Sequence, residues 1–166
     1  MDIQSQTYYF DDDGTIPNNP DLPLLIYENV LGQNQSFNDI FQKNFWINTW
    51  VGGVFSYHHF HSTAHEVLGV ESGNAILRLG GEKGKDIEVN KGDVLIIPAG
   101  VGHKNIKSSA DFTVVGGYPK GQDWDLCTGE SKDRPKFLQN IKHVPLPETD
   151  PVFGSKGPLI DAWKIK

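Results

Sequence analysis

The chain has 166 residues, the size of one ordinary domain, and it is long enough to bury a core without disulfides. Its 15 basic and 21 acidic residues give a net charge of −6, which argues against nucleic acid as a partner. Cys127 is the only cysteine, so no internal disulfide can form and a reducing, cytoplasmic compartment is expected; no apolar stretch approaches the roughly 20 residues of a membrane span.

The amino-terminal third predicts two short strands and one helix. Residues 7–10 and 24–27 are typical of short strands, and the loop between them is punctuated by prolines that remove backbone donors. A helix at 36–41 follows, because Ser36 can cap it and its apolar residues recur at helical spacing.

The middle of the chain changes to short strands separated by glycine-containing turns. Eight short strands at this spacing are typical of a sandwich, jelly roll or barrel, so the fold class is all-β. The candidate strands are 45–51, 55–61, 66–70, 75–79, 86–89, 94–97, 103–106 and 112–116.

The alternating pattern is lost beyond residue 118. Pro135 can open one more short helix, and four later prolines predict an extended arm. We therefore predict a single domain over 1–166, with a barrel core at about 45–118, an N-terminal arm at 1–44 and a C-terminal arm at 119–166. The arms hold too little periodic apolar sequence for a core of their own, so we expect them to wrap the barrel or a partner subunit.

Five of the six histidines lie between residues 58 and 103, inside the strand-rich region. His59 and His61 share one face of a strand, since alternate residues point the same way. Glu66 opens the next strand, and His103 follows a Pro-Gly turn that can bring it in from another strand. Three imidazoles and one carboxylate suit one divalent transition metal (Fe, Mn, Ni, Zn or Cu) with open positions for water, substrate or dioxygen.

Other polar residues near this cluster are candidates for orienting a substrate. Tyr57 shares the face of the histidine pair, Asn105 shares that of His103, and Asn48 lies between two tryptophans that predict core. Plain barrel filling is an equally good interpretation of Tyr57 and Asn105, whereas Asn48 between the tryptophans needs a polar partner. His58 and His65 fall on the opposite strand face and are not expected to be ligands.

Two spaced motifs carry a resemblance to a known family. The first motif is matched by Gly53, His59, His61, Glu66 and Gly73. The second is matched by Gly92, Pro98, Gly100 and His103, with Lys107 where the motif has asparagine. On these residues the chain resembles the cupin superfamily, and its phrases at 57–66 and 118–126 look similar to small bacterial single-domain cupins of unassigned activity. The resemblance implies a double-stranded β-helix, a jelly-roll barrel with short helices and extended arms, whose metal ligands are His59, His61, Glu66 and His103.

The resemblance leaves several functions open. Oxygenase, decarboxylase and isomerase chemistry all occur behind this ligand set in the superfamily, and we favour an oxygenase-like enzyme acting on a small molecule in the barrel. The alternatives are a non-catalytic binding or sensor module and a metal-free barrel similar to sugar isomerases. We expect no nucleic-acid or membrane partner, but a homodimer, because Phe60 and Ile76 are predicted to face outward.

Overall fold

The computed structural model describes residues 4–165, so the outermost residues of the two predicted arms, 1–3 and 166, lie outside the described residues. Within that range the chain is mostly β-sheet with a few short helices, which confirms the all-β class. The strands are β1 Ser5–Tyr8, β2 Leu24–Tyr27, β3 Trp46–Gly52, β4 Glu66–Ser72, β5 Asn74–Leu79, β6 Lys85–Asn90, β7 Val94–Ile97, β8 His103–Ser108 and β9 Thr113–Pro119. The helices are α1 Phe37–Lys43, α2 Arg134–His143 and α3 Pro158–Ala162, with a 3-10 turn at Ser131–Asp133.

Two antiparallel sheets build the barrel. The larger sheet has the order β1-β2-β7-β4-β9-β3, and the smaller has the order β6-β5-β8. Side chains from both sheets meet in one interior core, in which Leu68 and Leu95 of the larger sheet join Leu77 and Val89 of the smaller. The arrangement confirms a cupin β-barrel fold.

The central strands of the larger sheet, β2, β7, β4 and β9, are buried on both faces. Strand β2 shows why: Leu24 and Ile26 belong to the interior core, whereas Leu25 and Tyr27 belong to a second core on the outside of the sheet. The second core is covered by α1 and α3, which explains the continuous apolar runs of the central strands. Each fully buried side chain of this kind contributes about 1.5–3 kcal/mol relative to an exposed one.

Helix α1 begins where the sequence predicts. The Ser36 hydroxyl accepts a hydrogen bond from the Asp39 amide at 3.2 Å, as an N-cap should. The rings of Phe37 and Phe41 stack 5.4 Å apart against the sheet. Gly69 of β4 lies under the Phe37 ring, where a Cβ would come within 2.4 Å of ring carbon, so the close approach of helix and sheet requires glycine.

The two ends are more structured than the predicted arms. Strands β1 and β2 pair with each other, and β2 pairs with β7, so the sheet already begins in the N-terminal segment. The prediction of an extended C-terminal arm is wrong beyond residue 157, because Pro158 opens α3 and Trp163 packs into the second core. The helix predicted at Pro135 is confirmed as α2. None of the helices in residues 4–165 has the length and apolarity to cross a membrane.

Three local predictions are corrected by the packing. Residues 55–61 do not form a regular strand, and their β-type pairing is limited to isolated bridges at His59 and Phe60. Phe60 does not face outward, because it is fully buried with its ring 5.0 Å from that of Phe137 on α2. Trp46 and Trp50 do not share a face, since a register shift in β3 sends Trp46 to the outer core and Trp50 to the interior.

Candidate metal centre

The candidate ligands come from three parts of the barrel. His59 and His61 lie on the irregular segment before β4, Glu66 is the first residue of β4, and His103 is the first residue of β8. Backbone hydrogen bonds in both directions join His59 to His103, at 3.3 and 2.9 Å, and bring the two ring centroids to 4.1 Å. The isolated bridge therefore brings together a loop residue and a strand residue of the site.

The side chains of these residues converge below the surface. One ring nitrogen each from His59, His61 and His103 lies within 4.8 Å of the others, and all three residues are buried. The Oε1 atom of Glu66 is 3.4 Å from Nε2 of both His61 and His103. Three buried histidines are thus positioned to bind a metal, with a carboxylate oxygen beside them.

Backbone carbonyls hold the other nitrogen of each imidazole. Nδ1 of His59 donates to the Tyr57 carbonyl and Nδ1 of His103 to the Val101 carbonyl, both at 3.1 Å, while Nδ1 of His61 donates to the carbonyl of Asp125. A carbonyl can only accept, so each neutral ring carries its proton on Nδ1 and presents the Nε2 lone pair to the common point. The buried Nε2 atom of His103 has no hydrogen-bond partner among the described residues, which fits a metal-ligand position.

Burial and mutual contact set the protonation states of the cluster. Burial, with the charge of His103 added, lowers the pKa of His59 to about 3. Burial also opposes charge on His61, but the Glu66 carboxylate outweighs it and raises the pKa of that imidazole. Burial by itself would raise the pKa of Glu66, yet His61 and His103 hold it well below its usual range. Glu66 is therefore an ionised carboxylate within the cluster, and its oxygens are available as ligand atoms.

A second carboxylate oxygen of Glu66 is fixed from the barrel wall. The Tyr118 hydroxyl donates to Oε2 at 2.7 Å and itself accepts from Nε1 of Trp50 at 2.8 Å. Burial, with the charge of Glu66 added, raises the pKa of Tyr118, so the phenol stays protonated as a donor. Gly116 makes room for this chain of contacts, since a Cβ there would come within 2.3 Å of the Trp50 indole.

Residues 123–127, here called the strap, cross over the His61 segment. The Asp125 carboxylate accepts from both the amide and the hydroxyl of Ser62, and Cys127 exchanges two backbone hydrogen bonds of 2.9 Å with Phe60. The Trp124 ring lies 5.4 Å from that of His61. The strap therefore supplies both the carbonyl that orients His61 and one aromatic wall of the site.

A cavity of about 400 Å³ opens onto the histidine cluster. Among the predicted pocket residues, Asn48 lies on its wall, in the left-handed conformation (φ 59°) that the shift in β3 produces. Tyr57 does not line the cavity and is 42% exposed, and Asn105 turns its amide to the Ser108 hydroxyl instead. Its non-ligand wall is largely apolar or aromatic and includes Trp50, Val54, Phe55, Leu68, Tyr118 and Trp124.

The remaining histidines stay apart from the cluster, as expected. His58 contacts Glu82 at 2.8 Å, and His65 accepts from the Ala99 amide at Nδ1. Sequence reasoning missed the roles of Tyr118 and the strap at the site. Their one signal was the phrase at 118–126, which carried part of the family resemblance without indicating a contact.

Comparison with known proteins agrees with the barrel fold. A model of the cupin domain matches residues 45–115. The uncharacterized protein YjlB of Bacillus subtilis is 46% identical over 163 residues, which cover 98% of this chain and 99% of that protein. The chain belongs to the cupin family.

Two solved structures are similar over most of the chain at low sequence identity. The epimerase RmlC from Legionella pneumophila, solved with dTDP-4-keto-L-rhamnose, is 13% identical with a TM-score of 0.44, covering 96% of this chain and 91% of its own. Acireductone dioxygenase from Bacillus anthracis, solved with a cadmium ion in its active centre, is 16% identical with a TM-score of 0.36, covering 76% and 79%.

Proposed function

We propose that this cupin is a metal-dependent, oxygenase-like enzyme that acts on a small molecule in the barrel cavity. One divalent transition metal would be held by His59, His61, Glu66 and His103. The observation that carries the proposal is the set of three buried imidazoles, each with Nδ1 tied to a carbonyl, beside an ionised carboxylate. Such second contacts are typical of metal-ligating histidines, because they fix the tautomer and the ring orientation.

The residues around the cluster would bind and orient the substrate and exclude water from it. A divalent ion held there would supply Lewis-acid or dioxygen-activating chemistry. Tyr118 holds Glu66 through Oε2, which leaves Oε1 facing the imidazoles. Among the described residues that line the cavity, only the four proposed ligands and Tyr118 carry titratable side chains, and the Tyr118 hydroxyl is committed to Glu66. The wall therefore positions the substrate, and acid or base groups of the wall play no part.

The same observation supports a second candidate, a binding or sensor cupin that holds a small ligand without converting it. A wall without a free acid or base suits retention of a ligand as well as metal-based chemistry. Both candidates place a ligand next to the histidine cluster, and they differ only in whether that ligand is converted.

Elemental analysis and oxygen consumption test the proposal. After incubation with Fe, Mn or Zn and desalting, we expect about one equivalent of metal in the wild type and less than about a tenth in His61→Ala, because loss of an inner ligand opens the site. His143→Ala is the matched control, since it removes an exposed imidazole on α2 that does not line the cavity. A substrate panel under oxygen then compares turnover of the three proteins.

The outcomes separate the candidates. Wild-type protein that retains less than about a tenth of an equivalent of metal would overturn the metal proposal and favour the metal-free isomerase-like barrel. A loaded wild type that shows the same oxygen uptake and substrate turnover as folded His61→Ala would overturn the catalytic proposal and leave the binding module.

We also propose that the chain forms one domain and assembles as a homodimer in the cytoplasm. Ile76 on β5 and Ile106 on β8 expose apolar surface on neighbouring strands, which supports an interface between copies. The single cysteine supports a reducing compartment. Light scattering that gives the monomer mass of 18.5 kDa at micromolar concentration would overturn the dimer.

A further inference from the structure

The cavity wall carries no positively charged side chain that could neutralise additional negative charge on a ligand. None of the lining side chains, within residues 4–165, is a lysine or an arginine. A divalent ion held by three neutral imidazoles and one carboxylate would carry a net charge of about +1. A ligand with one negative charge matches this site, whereas a sugar phosphate or nucleotide would bring a second charge with no partner.

Three side-chain hydrogen-bond donors of the wall are already engaged within the protein, whereas the Asn48 amide and the Trp124 indole N–H have no hydrogen bond to other described residues. The Trp50 indole N–H donates to Tyr118, the Tyr118 hydroxyl donates to Glu66, and the Thr49 hydroxyl donates to Asn38 at 2.6 Å. A ligand body lying against these groups would therefore gain little from hydroxyl or phosphate substituents. Against this part of the wall, binding free energy would come mainly from burial of flat apolar surface.

The aromatic rings beside the cluster are arranged as nearly parallel planes. The rings of Tyr118 and Trp124 lie 6.3 Å apart at 20°, and Trp124 also meets the edge of His61 at 66°. Trp124 lines the cavity and is 46% exposed, so its indole can contact an incoming ring. Offset and edge contacts between aromatic rings are favourable, and they add interaction energy to that gained from buried area alone.

We propose that the ligand of this cavity is a monoanion with a flat aromatic or conjugated body and an oxygen-donor end, and that Trp124 determines the preference for the flat body. The oxygen-donor end faces the histidine cluster, and the body lies along the wall of Trp124 and Tyr118. The proposal rests on the proposed function, because the oxygen-donor end is assigned to the metal position. The assignment of the flat body depends only on the wall.

The test is calorimetric titration of the zinc-loaded protein, since zinc is redox-silent and prevents turnover. The probes are nitrocatechol, which has a flat body and paired oxygens, glycolate, which is a monoanion with paired oxygens and no flat body, and glucose phosphate. We expect nitrocatechol to bind at least about tenfold more tightly than either other probe, a ratio that one desolvated aromatic contact can supply.

Variants of the strap assign the preference to one side chain. Trp124→Ala is expected to weaken nitrocatechol binding about tenfold and glycolate binding less than about twofold, and Trp124→Phe should restore most of the loss. Leu126→Ala is the matched control, because it removes a similarly exposed apolar side chain two residues away that faces outside the cavity. Zinc content is measured for every variant.

Three results would overturn the inference, provided that zinc remains bound. They are equal affinity for the three probes, tighter binding of glucose phosphate than of nitrocatechol, and nitrocatechol affinity that Trp124→Ala does not change. Loss of zinc from the wild type is a different result and overturns the proposed function. Nitrocatechol binding to that metal-free protein, if weakened by Trp124→Ala and not by Leu126→Ala, would still support the flat-body assignment.

Discussion

Replacing Tyr118 with phenylalanine isolates the hydrogen bonds that fix Glu66. The substitution removes one oxygen and leaves the ring in place, so no cavity of side-chain size is created. Two groups lose their partner: the buried Oε2 of Glu66, which accepts from the hydroxyl at 2.7 Å, and Nε1 of the partly buried Trp50, which donates to it at 2.8 Å. Glu66 is only 2% exposed, so bulk water does not substitute for the lost donor.

The expected cost follows from the two orphaned groups. A buried group that loses its partner costs about 1–3 kcal/mol, so Tyr118→Phe should lower the free energy of unfolding by about 3 kcal/mol. For a chain of this length that corresponds to a fall in Tm of about 6–12 °C. Metal affinity should fall by about 10–100-fold, which is the usual effect of removing a contact behind a ligand.

Differential scanning calorimetry of the metal-free protein and competition of zinc against a fluorescent chelator measure the two effects. Tyr57→Phe provides the control, because it removes the same atom from a ring outside the cavity and should change stability by less than about 0.5 kcal/mol. A Tyr118→Phe protein with wild-type Tm and wild-type zinc affinity would show that the hydroxyl does not hold Glu66.

Two further predictions concern the strap and the barrel wall. Burial and the nearby Asp125 carboxylate raise the pKa of Cys127 to about 11, so iodoacetamide at pH 8 should alkylate it about a hundredfold more slowly than an ordinary exposed thiol, and Asp125→Asn should accelerate the reaction; mass spectrometry that finds rapid labelling of the wild type would contradict this. Gly116→Ala should displace the Trp50 ring and cost about 1–3 kcal/mol in urea unfolding. Gly53→Ala, whose new methyl meets no atom within 4 Å, is its control, and equal stability of the two variants would count against the packing argument.

Local sequence signals predicted the regular parts of the fold well. The strand predicted at 94–97 coincides with β7, and the Ser36 cap and the helix at Pro135 form as expected. These elements depend on capping, proline placement and alternation, all of which act over a few residues. The family motif likewise brought three histidines to one point, since its glycine and proline spacing sets the turns.

The failures share a different cause, which is packing between distant segments. Alternation predicted a strand at 55–61, but that segment takes its shape from bridges to His103 and Cys127. Phe60 was predicted to face outward because the sequence gives no sign that α2 covers it. The shift in β3 that separates Trp46 from Trp50 likewise becomes visible only when β9 is placed beside it.

The carbonyl that orients His61 belongs to a residue 64 positions later in the chain. A fragment that ends at Tyr118 would contain every candidate ligand but would lack the strap, including the Trp124 indole and the Asp125 carboxylate that accepts hydrogen bonds from Ser62. During synthesis from the amino terminus, the candidate ligands therefore leave the ribosome well before the segment that orients His61. If the proposed metal binds, its loading is expected to wait for nearly the whole polypeptide, and a scaffold shortened to the motif-bearing region would keep the candidate ligands but lose the carbonyl that orients one of them.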